Sequence, residues 1–388
     1  MKIKLSKKAT AAGIALALLG GAGSAMAQDA PSSTYAFGGY IKMDAMFSDY
    51  SDGRLASGSL GEQFYIPATI PVSATGEGDS TTTFQARESR INFKSDHKLA
   101  NGKTASTFIE MDFFLSPGGE ERISNSYNPR LRHAFFKYDK WLFGQTWSTF
   151  QDVGALPDNL DFVGPAESTV FERQAQIRYT SGPFEVALEN PETTLTPNGG
   201  AGRVIGREGM PDFVARYTAK VGDGYIKAAG LVRQLHSADG QPDDNEMGYG
   251  ISLSGKHPFG NGDDFRWMAT FGSGTGRYLG LNTANDASVD AQGNLEAIDQ
   301  MAAYVSFRHM WNDTWWSNLT YGFLDNDHNM ALVTSGVTKE VSSIHFNIQH
   351  APTPKMMVGA EVMFAERTLE SGADGDMTRI IFSAKYSF

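Results

Sequence analysis

Apolar and polar residues alternate with a period of two along most of this chain, and that alternation limits the fold more than any other feature. From Ile380 to the end, Ile380, Phe382, Ala384, Tyr386 and Phe388 take one face, and Arg379, Ser383, Lys385 and Ser387 take most of the other, with Ile381 the exception. Near the opposite end, Phe37, Ile41, Met43, Ala45 and Phe47 alternate with Tyr40, Lys42, Asp44 and Ser48. Successive side chains of a strand point to opposite faces, whereas an amphipathic helix repeats every 3.6 residues, so these segments are extended. The same reading predicts about sixteen strands, near 36–47, 82–94, 103–114, 130–138, 141–148, 170–180, 183–190, 211–219, 224–235, 246–255, 263–274, 297–309, 313–325, 340–350, 355–367 and 377–388.

The connections between these strands alternate in length. Asp139-Lys140, Ser181-Gly182-Pro183, Val221 to Gly224, His257 to Gly262, Asn312-Asp313 and Ala351 to Pro354 are tight, while long segments lie near 48–81, 115–129, 149–169, 191–210, 275–296 and 326–339. Short turns at one end and long loops at the other are the pattern of bacterial outer-membrane barrels, and an even strand number puts both termini at the short-turn end. A soluble sandwich would leave unexplained both that alternation and the aromatic C-terminal residue.

The first residues carry an export signal. Lys2, Lys4, Lys7 and Lys8 precede an apolar stretch around Ile14 to Leu19, and Ala25-Met26-Ala27 supplies the small-residue cleavage pattern. Residues 1–27 are therefore expected to be removed, leaving 28–388 as one barrel domain in the outer membrane. Loss of four Lys and no acid takes the formal charge from −11 to −15. After Ala27 no run approaches the roughly 18 apolar residues of a spanning helix. An exported chain of this kind is either a soluble protein or a closed barrel, the other structure whose backbone is fully hydrogen-bonded in lipid. With 41% hydrophobic residues, 12% aromatic residues and no Cys, disorder, a disulfide scaffold and a thiolate-bound zinc are excluded.

In a barrel that spans lipid the polar face lines the interior. Strand parity then directs Lys42, Arg90, Arg130, Arg132, Arg178, Arg216, Lys227, Arg233, Arg266, Arg308 and Arg379 inward, with Glu110, Asp112 and Glu361 as the main acids among them. Such a lining favours anions at a narrow point, and Arg can grip a carboxylate with two hydrogen bonds. The competing reading has the same arginines paired with those acids and merely stiffening the wall. Parity is suspect between Gln85 and Arg90, where Arg87 and Arg90 disagree and a bulge is expected. Segment 149–169 carries Asp152, Asp158, Asp161 and Glu167 with Phe150 and Phe162. Apolar residues on a loop of a polar-lined barrel give it a reason to fold inward, where its carboxylates would face the arginine wall and constrict the pore. Acids also crowd the other long connections; solvation accounts for them more simply than divalent cations bridging to lipopolysaccharide.

Several segments carry a family likeness: Phe37-Gly38-Gly39-Tyr40-Ile41-Lys42-Met43-Asp44, Phe64-Tyr65-Ile66-Pro67, Ala86-Arg87-Glu88-Ser89-Arg90, Arg122-Ile123-Ser124-Asn125-Ser126-Tyr127, Leu131-Arg132-His133-Ala134, Gly144-Gln145-Thr146-Trp147-Ser148 and Gln176-Ile177-Arg178-Tyr179. Through them the chain resembles the DcaP-like family of Gram-negative outer-membrane porins, most densely over the first half of the mature sequence. The resemblance implies a sixteen-stranded homotrimeric porin whose third loop constricts each pore, and uptake of dicarboxylates and related anionic or aromatic acids. It places Arg90, Arg130, Arg132 and Arg178 in the basic wall and 149–169 at the constriction. Some members have a coiled-coil segment before the barrel; here eight residues, 28–35, separate the expected cleavage point from the first strand.

The pattern assigns no catalytic residue, cofactor, metal or nucleic-acid partner. The eight His are scattered without an H-E-x-x-H pair, and Gly272-Ser273-Gly274-Thr275-Gly276 has neither the spacing nor the following helix of a nucleophile elbow or phosphate loop. Asp325-Asn326-Asp327 lacks the Gly and distal Glu of a calcium loop and is expected to be a solvated loop tip. The expected function is a passive channel for small anionic solutes, with a weakly selective porin or a plugged surface barrel as alternatives. Arg132→Glu is expected to lower anion preference without unfolding the barrel.

Overall fold

The computed structural model describes residues 32–56, 58–73, 76–115 and 124–388. The expected export signal at 1–27 and part of the second long connection lie outside the described residues. Sixteen antiparallel strands form a closed barrel. They are β1 (Ser33–Tyr50), β2 in two segments (Asp79–Gln85 and Arg90–Lys98), β3 (Thr104–Asp112), β4 (Arg130–Tyr138), β5 (Trp141–Trp147), β6 (Arg173–Ser181), β7 (Phe184–Glu189) and β8 (Asp212–Val221). The second half comprises β9 (Gly224–His236), β10 (Asn245–Phe259), β11 (Asp263–Ser273), β12 (Asp299–Asn312), β13 (Trp315–Asp327), β14 (Thr338–Thr353), β15 (Met356–Leu369) and β16 (Asp374–Ser387). Each strand pairs with its neighbours in sequence, and β1 closes the ring against β16 from Tyr40↔Ser387 to Tyr50↔Met377.

Burial follows the alternation, inside out. Phe37, Ile41, Met43, Phe346, Phe364 and Phe382 are exposed on the outside, while Arg132, Arg233, Arg379, Asp112 and His345 are buried within. Toward the short-turn end the outer face carries paired rings, among them Phe136 with Phe143, Trp141 with Tyr179, Phe184 with Tyr217 and Trp315 with His350. Aromatic girdles of this kind sit at the lipid–water boundary.

Several strands, among them β1, β10, β14 and β16, run further than the alternation predicts, while β3, β5 and β7 are slightly shorter. The expected turn at His257–Gly262 shrinks, because pairing continues to Phe259↔Asp263. Apolar alternation ends where lipid ends, but the hydrogen-bond ladder does not. The same cause corrects the reading of Asp325-Asn326-Asp327 as a loop tip: all three belong to β13, and buried Asn326 accepts from Gln300 (2.8 Å) and donates to the Thr338 carbonyl (3.0 Å). The suspect stretch after Gln85 does break β2. There the Ser89 hydroxyl accepts from the Lys42 amide (3.1 Å) and donates to the Lys42 carbonyl (3.3 Å), so the backbone groups freed by the interruption stay satisfied.

At the loop end, four short strands, Thr194–Thr196, Val204–Ile205, Ala287–Val289 and Leu295–Ala297, form a small sheet from the β7–β8 and β11–β12 connections. Buried Asp286 ties it to the wall by pairing with Arg233 (2.8 Å) and accepting from the Thr194 amide (2.8 Å). The β1–β2 connection folds into the mouth, where Leu55, Phe64, Tyr65 and Ile70 pack with Phe114, Val163 and Met363.

Candidate functional site

The connection from β5 to β6 does not leave the barrel. Its Gln151 carbonyl accepts from Arg216 on β8 (2.7 Å), and Asp152 takes Lys227 on β9 (2.5 Å) and Ser254 on β10 (2.8 Å). The Leu156 carbonyl accepts from Arg266 on β11 (2.6 Å), and that of Ala155 from the Tyr304 hydroxyl on β12 (3.0 Å). Further on, the Asp158 carbonyl accepts from Asn347 and Gln349 on β14 (3.0 and 2.7 Å), the Leu160 amide donates to Glu361 on β15 (2.7 Å), and the Leu160 carbonyl accepts from Lys42 on β1 (2.8 Å). The loop therefore lies along the wall from β8 round to β1. The lumen that remains is bounded by the loop and by β2 to β7.

On that open side stand Arg90, Arg130, Arg132 and Arg173. Arg130 grips Asp112 with two bonds (2.8 and 2.7 Å), and Arg132 takes Glu110 (2.7 Å) and Asp112 (2.8 Å). Arg90 lies 3.9 Å from Glu110. Among the described residues Arg173 has no carboxylate within ion-pair distance, and its Nη1 is buried without a hydrogen-bond partner. It is held instead over the Trp147 ring, 4.4 Å from the centroid, and near Phe171 at 5.5 Å. The Phe162 ring, carried by the loop, faces Arg90 at 5.7 Å and Arg132 at 5.5 Å. A cavity of about 690 Å³ borders this group, lined by Phe64, Phe162 and Phe171 together with Arg130, Arg173 and Arg277. Glu172 borders the same cavity; burial pushes its carboxyl up to about 7, against the pull of Arg277 and Arg173.

Of the arginines expected inward, Arg90, Arg130 and Arg132 come together. The others are spent elsewhere: Arg178 and Arg216 meet Glu185 (3.6 and 2.8 Å), Arg266 and Arg308 meet Asp264 (2.6 and 3.0 Å), and Lys42 meets Glu88 (2.5 Å). Of the loop acids, Asp152 faces Lys227, Asp161 accepts from the Tyr65 amide (2.9 Å) and lies 3.8 Å from Arg379, and Glu167 accepts from Ser343 (2.7 Å), all three buried and none in an ion pair with Arg90, Arg130 or Arg132. Burial raises the proton affinity of both Asp161 and Glu167. Asp158 keeps a partly exposed carboxylate, 3.8 Å from Arg308.

Sequence reasoning missed Arg173. Parity turned Arg178 inward and hence Arg173, of the opposite parity on the same strand, outward. But pairing between β4 and β5 stops at Ala134↔Gln145, and beyond it Trp147 is 5.8 Å from the Arg132 guanidinium while Arg173 stacks on the same ring. Loop arginines such as Arg277 have no parity to read.

Ser343, His345 and Glu361 lie in hydrogen-bond sequence (3.0 and 3.3 Å), the order of a hydrolytic triad, yet all are buried beneath the loop. The Ser343 hydroxyl is engaged with Glu167, and the Glu361 carboxylate holds the loop backbone. Among the described residues no group of three His or acidic side chains could hold a metal ion, and no helix is long and apolar enough to cross a membrane.

A fold of this kind recurs in solved outer-membrane proteins. The channel DcaP of Acinetobacter baumannii matches with a TM-score of 0.77 at 21% identity, over 92% of this chain and 97% of that one. The anion-selective porin from Comamonas acidovorans matches at 0.56 and 11% identity, over 92% and 100%. The trimer form of OmpT of Vibrio cholerae matches at 0.54 and 12%, over 92% and 100%. Comparison with curated proteins returns no match. The family model described as DcaP outer membrane protein matches residues 25–388, nearly the whole chain. With the closed barrel, its inward third loop and that match, the chain belongs to the DcaP family of outer-membrane channels.

Proposed function

We propose that this channel passes small anionic solutes by diffusion and prefers dicarboxylates and aromatic acids. One observation carries the reading: at the constriction four guanidiniums, Arg90, Arg130, Arg132 and Arg173, stand against two carboxylates, Glu110 and Asp112. The excess of about two positive charges in a narrow, partly desolvated space attracts anions and opposes cations. Arg173 supplies an unused fork for a carboxylate, and Trp147, Phe162 and Phe171 offer ring faces beside it. The names of the anion-selective Comamonas porin and of the trimeric OmpT form support the anionic preference and a homotrimer. Export through the signal at 1–27 and a surface seated in lipid and lipopolysaccharide complete the proposal.

A weakly selective porin is the second reading, favoured by the neutralisation of Lys42, Arg178, Arg216, Arg266 and Arg308 by neighbouring acids. Reversal potential in a planar bilayer under a KCl gradient separates the two. Anion preference that falls in Arg173→Ala, with blockade of current by succinate, supports the first. Cation preference, or a potential indifferent to Arg173, rejects it.

A further inference from the structure

Two more arginines stand near the loop-side mouth without acidic partners. Arg203, in the β7–β8 connection, donates from Nε to the Asn285 side chain (2.9 Å) and from Nη2 to the Asn282 carbonyl (2.7 Å). Arg367, on β15, donates from Nε to the Thr338 hydroxyl (2.9 Å) and from Nη1 to the Ile70 carbonyl (2.9 Å). Each guanidinium is thus oriented by neutral acceptors alone. Among the described residues neither has a carboxylate within ion-pair distance, although the chain carries 44 acids against 33 Lys and Arg. Both side chains line a cavity of about 210 Å³ with Ala68, Asn285, His328 and Thr338. A single buried water needs only about 10–15 Å³ on such a measure, so a small solute fits with its hydration partly retained. Of the acids near the lining, Glu370 is engaged by His328 (3.1 Å), and Asp286, next to Asn285, is engaged by Arg233 (2.8 Å).

Arg has five N–H donors, so each of these forks keeps three after its two bonds. Two oriented, uncompensated forks on one cavity match the two charged ends of a small dianion, or one doubly charged oxyanion between them. Ala68 and Arg203 also line the larger cavity bordering the constriction, where Arg277 and Arg173 follow. We propose that Arg203 and Arg367 form a dianion capture site at the mouth, separate from the constriction and feeding it along this line of arginines. The site rests on the reading of the channel as anion-preferring.

The test uses the full channel in a planar bilayer, inserted with its loops facing a known chamber, and records succinate blockade with sulfate as a second probe. In Arg203→Ala/Arg367→Ala the association rate from the loop side is expected to fall by about tenfold, within the range by which charge steering raises encounter rates. Association from the turn side and the KCl reversal potential are expected to stay unchanged. Loop-side association that is unchanged overturns the capture site, and if KCl anion preference persists the channel reading survives that loss. Arg203→Lys/Arg367→Lys keeps the charge but not the fork, and recovery of less than half the lost rate is expected. Full recovery overturns the site in favour of a diffuse field. Blockade by sulfate as well as succinate assigns the site to dianions generally, and blockade by succinate alone assigns it to dicarboxylates. Both outcomes support it when they depend on the two arginines.

Discussion

Removing the Glu361 carboxylate should release the tip of the constriction loop while leaving the barrel intact. Glu361 accepts from the Leu160 amide (2.7 Å), the Asp161 amide (3.3 Å) and the Asn159 side chain (3.2 Å), and from Asn347 (2.9 Å) and His345 (3.3 Å) on the wall. In Glu361→Ala two buried backbone N–H groups of the loop lose their acceptor. Each costs about 1–3 kcal/mol when left unsatisfied, so at about 1.5 kcal/mol each the docked loop loses about 3 kcal/mol. At 1.4 kcal/mol per factor of ten, that multiplies the released population by about 100. The barrel ladders do not involve this side chain, so heat-modifiable gel migration should persist. Because the chain has no Cys, Leu160→Cys gives a single thiol at a position otherwise buried against Met46, Met357 and Ile381. The rate of its labelling by a charged maleimide, compared between Glu361 and Glu361→Ala backgrounds, reads the released fraction. Acceleration of about 100-fold with a larger, noisier single-channel conductance is expected on this energy. Equal labelling rates would mean that Lys42, Gln349 and the apolar contacts of Leu160 hold the tip by themselves, and the assignment of Glu361 as its anchor would be wrong.

Three other perturbations follow from the same geometry. With the Glu172 carboxyl at about 7, acidification from pH 8 to pH 6 removes a negative charge from the vestibule; anion preference in reversal-potential measurements should rise over that interval and become flat in Glu172→Gln, and a rise toward alkaline pH would contradict the assignment. Burial raises the proton affinity of Glu167, so the folded chain holds a proton that the unfolded chain gives up first, and stability falls as pH rises through the elevated range; Glu167→Gln should match the parent in thermal unfolding at pH 5 and exceed it at pH 8, and an equal deficit at both values would refute this. Arg132→Glu places a third carboxylate beside Glu110 and Asp112 at a buried position, which should cost about 3–5 kcal/mol and lower the urea midpoint while the barrel stays folded without denaturant; an unchanged midpoint would contradict the pairing.

The period of two made the strands legible, because lipid outside and water inside impose opposite demands on successive residues. It read Arg90, Arg130 and Arg132 as one wall for the same reason. It flagged the break at 86–89 from the clash of Arg87 and Arg90 parity, but lost the thread at Glu110/Met111, where the register shifts opposite Leu131 and His133. It could not see which loop acids would meet which wall cations, since the path of the loop is set by side chains scattered from Arg216 on β8 to Glu361 on β15 and Lys42 on β1. Charge compensation is hidden for the same physical reason. Arg266 and Arg173 look alike in sequence, but Arg266 has Asp264 two residues away on its own face of β11, whereas Arg173 has a Trp ring across the strand pair and a Glu172 that burial keeps partly protonated near neutral pH. A lumen-facing cation influences a passing solute to the extent that it lacks a partner, and partners are assigned by register and by loop path rather than by parity. Arg173 has the wrong parity and Arg203 lies in a connection with none, while Arg367 shares the inward parity of Glu361 but only the loop path leaves it without an acid; most of the arginines that parity selects hold the wall and its loop in place.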